Sequence, residues 1–268
     1  MGRKYLISNI GIGDLLFFCC SILLNHEVGD TIEIKISKDS LLTYRENSNN
    51  YEIFCQKYIN YFLSDFKINF LPKKSEVNYH WEIDPDLYHK IFKNDFVVKV
   101  IKDKLNLKKN GYEDCIVVFT KIRDLHSHLF STISEEFFNS INQSGKKILL
   151  LGEREIKYGN EYSIHGKEKI YSIYDQCINN IDNDKLIDLT TNIYEFNDFS
   201  IESVLNDINI IINSSTTYVF GGGGFFCLSL FTGKLTSLTN TEYKNSFYSD
   251  YNQNIFSDIN KFTEHLKK

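Results

Sequence analysis

Four consecutive glycines, Gly221, Gly222, Gly223 and Gly224, stand just after a polar cluster of Asn213, Ser214, Ser215, Thr216 and Thr217. Hydroxyls and uncovered backbone N–H groups next to a helix N-terminus form a cradle for an anion such as a diphosphate. The same glycines also suit a turn that holds no ligand, because glycine adopts backbone angles closed to other residues. A second group is Gly11-Ile12-Gly13-Asp14, at an expected strand-to-helix turn where a bare backbone admits close approach. There Asp14 either removes a proton from a hydroxyl as general base or simply caps its own helix.

Two further segments carry charge at the ends of apolar runs. TKIRDLHSH, residues 120–128, offers Lys121 and Arg123, which either neutralise phosphate charge or lie in a solvated loop. LLLGEREI, residues 149–156, ends in Gly152, Glu153 and Arg154. Glu153 could accept hydrogen bonds from ribose hydroxyls; the alternative is a solvated Glu-Arg pair. Other patterns fall short. His126 and His128 have no third ligand nearby, so no metal site is expected. Asp84-Pro85-Asp86 and Asp182-Asn183-Asp184 match the loose DxD pattern of metal-dependent sugar transferases. Pro85 suits the first helical position with Asp84 as cap, and Asp182-Asn183-Asp184 suits a polar turn. A dinucleotide fingerprint would need glycine where Leu16 stands, which disfavours NAD.

The elements that must position these residues alternate. Strands are expected over 4–9, 31–36 and 67–71, with helices over 15–25 and 50–64. This is a strand-helix series of an open parallel sheet with right-handed crossovers. Residues 72–111 read as a polar, irregular connector containing Trp81 and a helical run over 95–107. Lys108-Lys109-Asn110-Gly111 is the expected hinge. A second series follows: strands 115–120, 147–151, 185–189, 208–212 and 234–238, and helices 135–143, 169–179 and 201–207. The β-branched run Ile208–Ile212 reads as a buried strand with the hydroxyl cluster at its carboxyl end. FFCLSLF after the glycines fits a short helix closed by Gly233, and the tail forms a last helix with Ser257 as cap. The fold class is α/β with two Rossmann-like halves, residues 1–110 and 111–268.

Composition narrows the partners. At 268 residues the chain is long enough for two cores, and its formal charge of -5 with no basic block argues against nucleic acid. Six scattered cysteines without CxxC pairs read as reduced core residues of an intracellular protein. LLFFCCSILL is too short to span a bilayer, and Leu6 stands where a myristoylation signal needs Ser or Thr. The expected location is the cytoplasm with no transmembrane segment, and peripheral membrane contact stays open.

The order GIGDLL, TKIRD, KKILLLGERE, LIDLTTN and IIINSST, spread over nearly the whole chain, resembles the bacterial heptosyltransferase-type (family 9) glycosyltransferases. That resemblance implies a GT-B fold, two Rossmann-like domains facing a cleft, with residues 1–110 on the acceptor side and 111–268 holding the nucleotide. It also implies a metal-independent, inverting transfer of a sugar from a nucleotide-sugar donor to a glycan or other hydroxyl acceptor. It implies no cofactor beyond the donor co-substrate. Asp14 then looks like the family's base, and Gly11 and Gly13 like its acceptor-side turn. Lys121, Arg123, Glu153, Ser214, Ser215, Thr216 and Gly221 to Gly224 would lie at the donor and its phosphates. The family has a histidine shortly after the phosphate turn; this chain has Tyr218, Val219 and the glycines. A nucleotide-sugar epimerase of the same architecture and a non-catalytic GT-B-derived binding protein are the alternatives.

Overall fold

A computed structural model of the chain describes residues 4–7, 11–37, 48–81, 85–105, 111–124, 134–154, 169–190, 201–221, 224–238, 254–256 and 258–267. The chain divides into two compact units, Met1–Leu105 with Glu195–Val204, and Asn106–Tyr194 with Leu205–Lys268.

The first unit contains β1 (Lys4–Ile7), α1 (Ile12–Asn25), β2 (Thr31–Ile36), α2 (Ser48–Phe62), β3 (Lys67–Phe70), β4 (Tyr79–His80), α3 (Pro85–Phe92) and α4 (Asp95–Leu105). Its strands form a parallel sheet in the order β3-β2-β1-β4. Helix α1 is apolar all round and is buried from Leu15 to Leu23, as such a helix must be. Its one polar residue in that stretch, Ser21, is satisfied: its Oγ donates to the Phe18 carbonyl at 2.8 Å and accepts from Trp81 Nε1 at 3.0 Å. Trp81 follows β4 and packs edge-on against Phe18. In the expected connector the helical run over 95–107 forms as α4, and the part taken as irregular supplies a fourth strand, β4, and a further helix, α3. Two residues are too few to show a hydrophobic period, so only pairing with β1 reveals β4.

The second unit contains β5 (Ile116–Phe119), β6 (Lys121–Asp124), α5 (Glu135–Gln143), β7 (Ile148–Leu151), β8 (Lys169–Ser172), α6 (Tyr174–Asn180) and β9 (Leu186–Asp188). It continues with α7 (Ile201–Asn213), β10 (Thr216–Tyr218), α8 (Gly224–Thr232), β11 (Leu235–Leu238), β12 (Ile255–Phe256) and α9 (Ile259–Leu266). The boundary between the units falls inside α7, between Val204 and Leu205. Six strands make a sheet in the order β12-β11-β10-β5-β7-β9, every neighbouring pair parallel. The chain runs outward from β5 through β7 to β9, then returns beside β5 as β10 and proceeds the other way. That is the doubly wound order of a Rossmann-like sheet. The central runs IVVF and ILLL are buried at every position, the mark of parallel strands covered on both faces. Strands β6 and β8 form a separate antiparallel pair. On one face of the large sheet Phe137, Tyr218, Phe220 and Phe262 join a single apolar cluster.

Several elements differ from expectation. Ile208–Ile212 is the second half of α7, not a strand: Ile201, Val204, Ile208 and Ile211 recur at helical spacing and are all buried. With one face buried, helical periodicity outweighs β-branched propensity. The expected helix 169–179 splits into β8 and α6. Helix α9 is capped by Asp258, which accepts from the N–H groups of Asn260 and Lys261; Ser257, like Asp84 and the hinge residues 108–110, lies outside the described residues.

Candidate functional site

In a doubly wound sheet the ligand crevice lies beyond the carboxyl ends of the strands, where the strand order reverses. In the second unit that point is between β5 and β10. The residues leaving the strands along this edge are Thr120 and Lys121 after β5, Gly152 to Arg154 after β7, Leu189 and Thr190 after β9, and Val219 to Gly221 after β10.

The β7 turn is folded tightly onto the end of β5. Gly152 has φ +103°, and a Cβ there would stand 3.0 Å from Thr120 Oγ1. Thr120 Oγ1 lies 2.8 Å from the Glu153 carbonyl oxygen, which it donates to, and the Ser172 hydroxyl donates to the same oxygen at 2.8 Å. This fixes the backbone of Glu153 and brings its carboxylate to Lys121, whose Nζ donates to Oε1 at 3.0 Å. Two residues singled out separately in the sequence are therefore an ion pair at the edge of the sheet.

Beside them lies a network that sequence reasoning missed. Arg154 does not pair with Glu153. Its Nε donates to Thr190 Oγ1 at 2.9 Å, its Nη2 donates to Asp188 Oδ2 at 2.9 Å, and its guanidinium sits 5.4 Å from the centre of the Tyr174 ring. Asp188 also accepts from the Tyr174 hydroxyl at 2.8 Å and from the Thr190 N–H at 2.9 Å, and the Thr190 hydroxyl donates to Oδ1. Partial burial pushes the Asp188 carboxyl up, but these hydrogen bonds and the Arg154 charge outweigh it and hold the group below the usual carboxylate value. Burial and the adjacent Asp188 carboxylate push the Tyr174 phenol up. The signal available in the sequence was LIDLTTN, in which Asp188 and Thr190 stand at a strand's carboxyl end.

On the other side of the switch point, Gly221 takes φ +80° and its N–H reaches the Leu238 carbonyl at 3.1 Å. Gly222 and Gly223 lie outside the described residues, and Gly224 opens α8. The glycines thus lead from a strand's carboxyl end into a helix, whereas Ser214, Ser215 and Thr216 lie at the opposite, amino end of β10. Ser214 donates to the Ile211 carbonyl at 2.7 Å, Ser215 donates to the Cys115 carbonyl at 2.9 Å, and Thr216 Oγ1 is 3.0 Å from Thr236 Oγ1. These hydroxyls are taken up at the end of α7, by Cys115 and between β10 and β11, and are not gathered with Lys121, Glu153 and Gly221. Arg123 lies in β6 opposite Ile170. Asp182, at the amino end of β9, pairs with Lys185 at 2.6 Å, away from the carboxyl edge.

In the first unit the strand order reverses between β1 and β4. Asp14 lies in the first turn of α1, which follows β1, and its Oδ2 accepts from the Gly11 N–H at 2.9 Å. Gly13 is buried beneath it. The carboxylate is partly exposed at that turn. Among the described residues no group of three His, Cys, Asp or Glu is arranged to hold a metal, and no helix is long and apolar enough to cross a membrane.

No family model matches this sequence. No curated protein matches it either. Among solved structures the chain is similar to the crystal structure of the dodecameric iron-containing heptosyltransferase TibC, in complex with ADP-D-β-D-heptose. The TM-score is 0.52 at 12% identity, over 96% of this chain and 63% of that one. The chain therefore spans less than two thirds of that protein. The likeness is one of fold: an α/β protein of parallel sheets and helices, Rossmann-like in its second unit.

Proposed function

We propose that the chain is a glycosyltransferase of the GT-B type that takes a nucleotide-sugar donor and transfers its sugar to a hydroxyl acceptor. The observation that carries this reading is the carboxyl edge of the second unit's sheet. The Lys121–Glu153 ion pair, Gly221 after β10 and the start of α8 at Gly224 lie along it. A diphosphate at the α8 N-terminus gains from the helix dipole and the N–H groups of the first turn, and Lys121 adds positive charge. Glu153 takes the ribose hydroxyls. TibC, the similar structure, holds a nucleotide-heptose.

The mechanism is a single inverting displacement without metal. Asp14 removes the proton of the acceptor hydroxyl, whose oxygen attacks the anomeric carbon. The bond from that carbon to the nucleoside diphosphate breaks, and its electron pair leaves with the phosphate oxygen. Charge grows on the leaving group, so the cation and helix N-terminus act mainly in the transition state. Asp14→Asn should lower transfer by about a hundredfold or more, the typical share of a general base, and leave nucleotide affinity unchanged. Unchanged turnover would remove Asp14 from this role.

A second reading, a binding protein derived from such an enzyme, is favoured by one observation: the Asp14 carboxylate is engaged by the Gly11 N–H as a helix cap. Both readings require a nucleotide to raise the melting temperature by mass action, about 2.7 kcal/mol of added stability at a hundred times the Kd. Release of free nucleoside diphosphate with an acceptor present separates them, and formation of an isomerised nucleotide-sugar would indicate an epimerase instead.

A further inference from the structure

Arg154 is a fixed, incompletely used donor at the same edge, and what it can still bind follows from its geometry. Resting on the nucleotide-sugar reading above, we infer that Arg154 reads the base of the donor and selects guanine over adenine.

The strands give the ordering. With a diphosphate at the β5–β10 switch point and ribose at Glu153 after β7, the next strand outward is β9. It lies two strand spacings from β5, about 10 Å. That is the side on which a nucleotide extended along the edge places its base, and Arg154, Asp188, Thr190 and Tyr174 meet there.

The side chains give the selectivity. Thr190 takes Nε–H and Asp188 takes an N–H of Nη2, which together are the side face of the guanidinium. Left over is the end face, one N–H from each terminal nitrogen, parallel and in one plane. Among the described residues nothing else accepts from Arg154, and its side chain is 35% exposed. The Tyr174 ring and the two acceptors hold the fork in one orientation, so little freedom is lost when it binds. Asp188 cannot contribute an acceptor of its own. Its two oxygens already take bonds from Arg154, the Tyr174 hydroxyl, and the Thr190 N–H and hydroxyl, filling the roughly four acceptor positions of a carboxylate.

Among the described residues, the open face of Arg154 therefore offers a base two parallel donors, and the Asp188 carboxylate beside it offers no acceptor. Guanine answers with two adjacent acceptors, O6 and N7, the pairing that arginine makes bidentately in nucleic acids. Adenine sets an amino donor beside N7 and opposes one of the two N–H groups. Uracil has two carbonyls, O2 and O4, but its N3–H donor stands between them, so it presents no adjacent pair of acceptors.

The test is titration of the full chain by calorimetry with GDP, IDP, 7-deaza-GDP, UDP and ADP. GDP and IDP, which share O6 and N7, should bind at least about tenfold tighter than ADP, the scale of one good bidentate contact. 7-deaza-GDP, lacking the N7 acceptor, should lose most of that advantage without any change to the protein. Arg154→Leu should level GDP and ADP, and Arg154→Lys, which keeps the charge but not the fork, should do nearly the same. ADP binding as tightly as GDP, or a preference for GDP that survives Arg154→Leu, would overturn the inference and leave the glycosyltransferase reading standing. Failure of every nucleotide to bind would overturn both.

Discussion

At the scale of single residues, Asp188 is the group with the most to lose. Four hydrogen bonds converge on its carboxylate, and its pKa is lower in the folded protein than the ordinary value of 3.8. A depressed folded pKa stabilises the protein above the unfolded value, and the contribution disappears as pH falls through the folded one. Asp188→Asn should therefore cost about 1.5–3 kcal/mol in urea denaturation at pH 7, the range for hydrogen bonds to a charged group. The gap between variant and parent should close as the pH drops below the carboxylate range, and a gap independent of pH would show that the charge is not what matters. Of the candidate residues, Asp14, Lys121 and Glu153 stand out in the sequence because charged residues in the turns after apolar strands point to a sheet edge. The Lys121–Glu153 pairing does not, since 32 positions separate the partners and only strand pairing brings them together.

At the scale of elements, the turn after β7 is held by a glycine for steric cause. Gly152→Ala combines φ +103° with a Cβ 3.0 Å from Thr120 Oγ1, so it should destabilise the protein by about 1–3 kcal/mol. Because the same turn presents Glu153 and Arg154, nucleotide affinity should fall together with the urea midpoint. Loss of stability at unchanged affinity would place the binding site elsewhere. Helix α9 is the other element with an evident function in the fold. Phe262 contacts Phe137, Tyr218, Phe220 and Phe256, and the Ser140 hydroxyl donates to the Leu266 carbonyl at 2.8 Å. Phe262→Ala should cost about 3–5 kcal/mol, as for a buried aromatic removed from a core. A loss under 1 kcal/mol would mean that α9 is dispensable for the second unit.

At the scale of the whole molecule, the cysteines report on integrity in both units. All six are free and buried, so none is placed for a disulfide and the sequence reading of core thiols holds. Burial pushes Cys177 up to about 12 and Cys115 up to about 11, and pushes Cys19 up as well. The thiolate is the reactive form, so a thiol reagent at neutral pH should label none in the native protein and all six after denaturation. Rapid labelling of Cys19 or Cys20 in native buffer would reveal opening of the first unit around α1; labelling of Cys177 would report on the second.

The sequence by itself determined the class of this protein and most of its elements. Period-two and continuous apolar runs marked β2, β5 and β7, and the GIGD turn marked the start of α1, because these signals arise within one element and need no partner. It did not determine Ile208–Ile212, where β-branched residues at helical spacing fit either structure until tertiary packing buried one side. That single choice moved Ser214, Ser215 and Thr216 from the carboxyl end of a strand to the amino end of the next. The tertiary structure also decided the strand order, and with it the meeting of Lys121 with Glu153 and of Arg154 with Asp188. Those contacts depend on which strands lie side by side, and pairing between strands far apart in the chain leaves no mark on local periodicity.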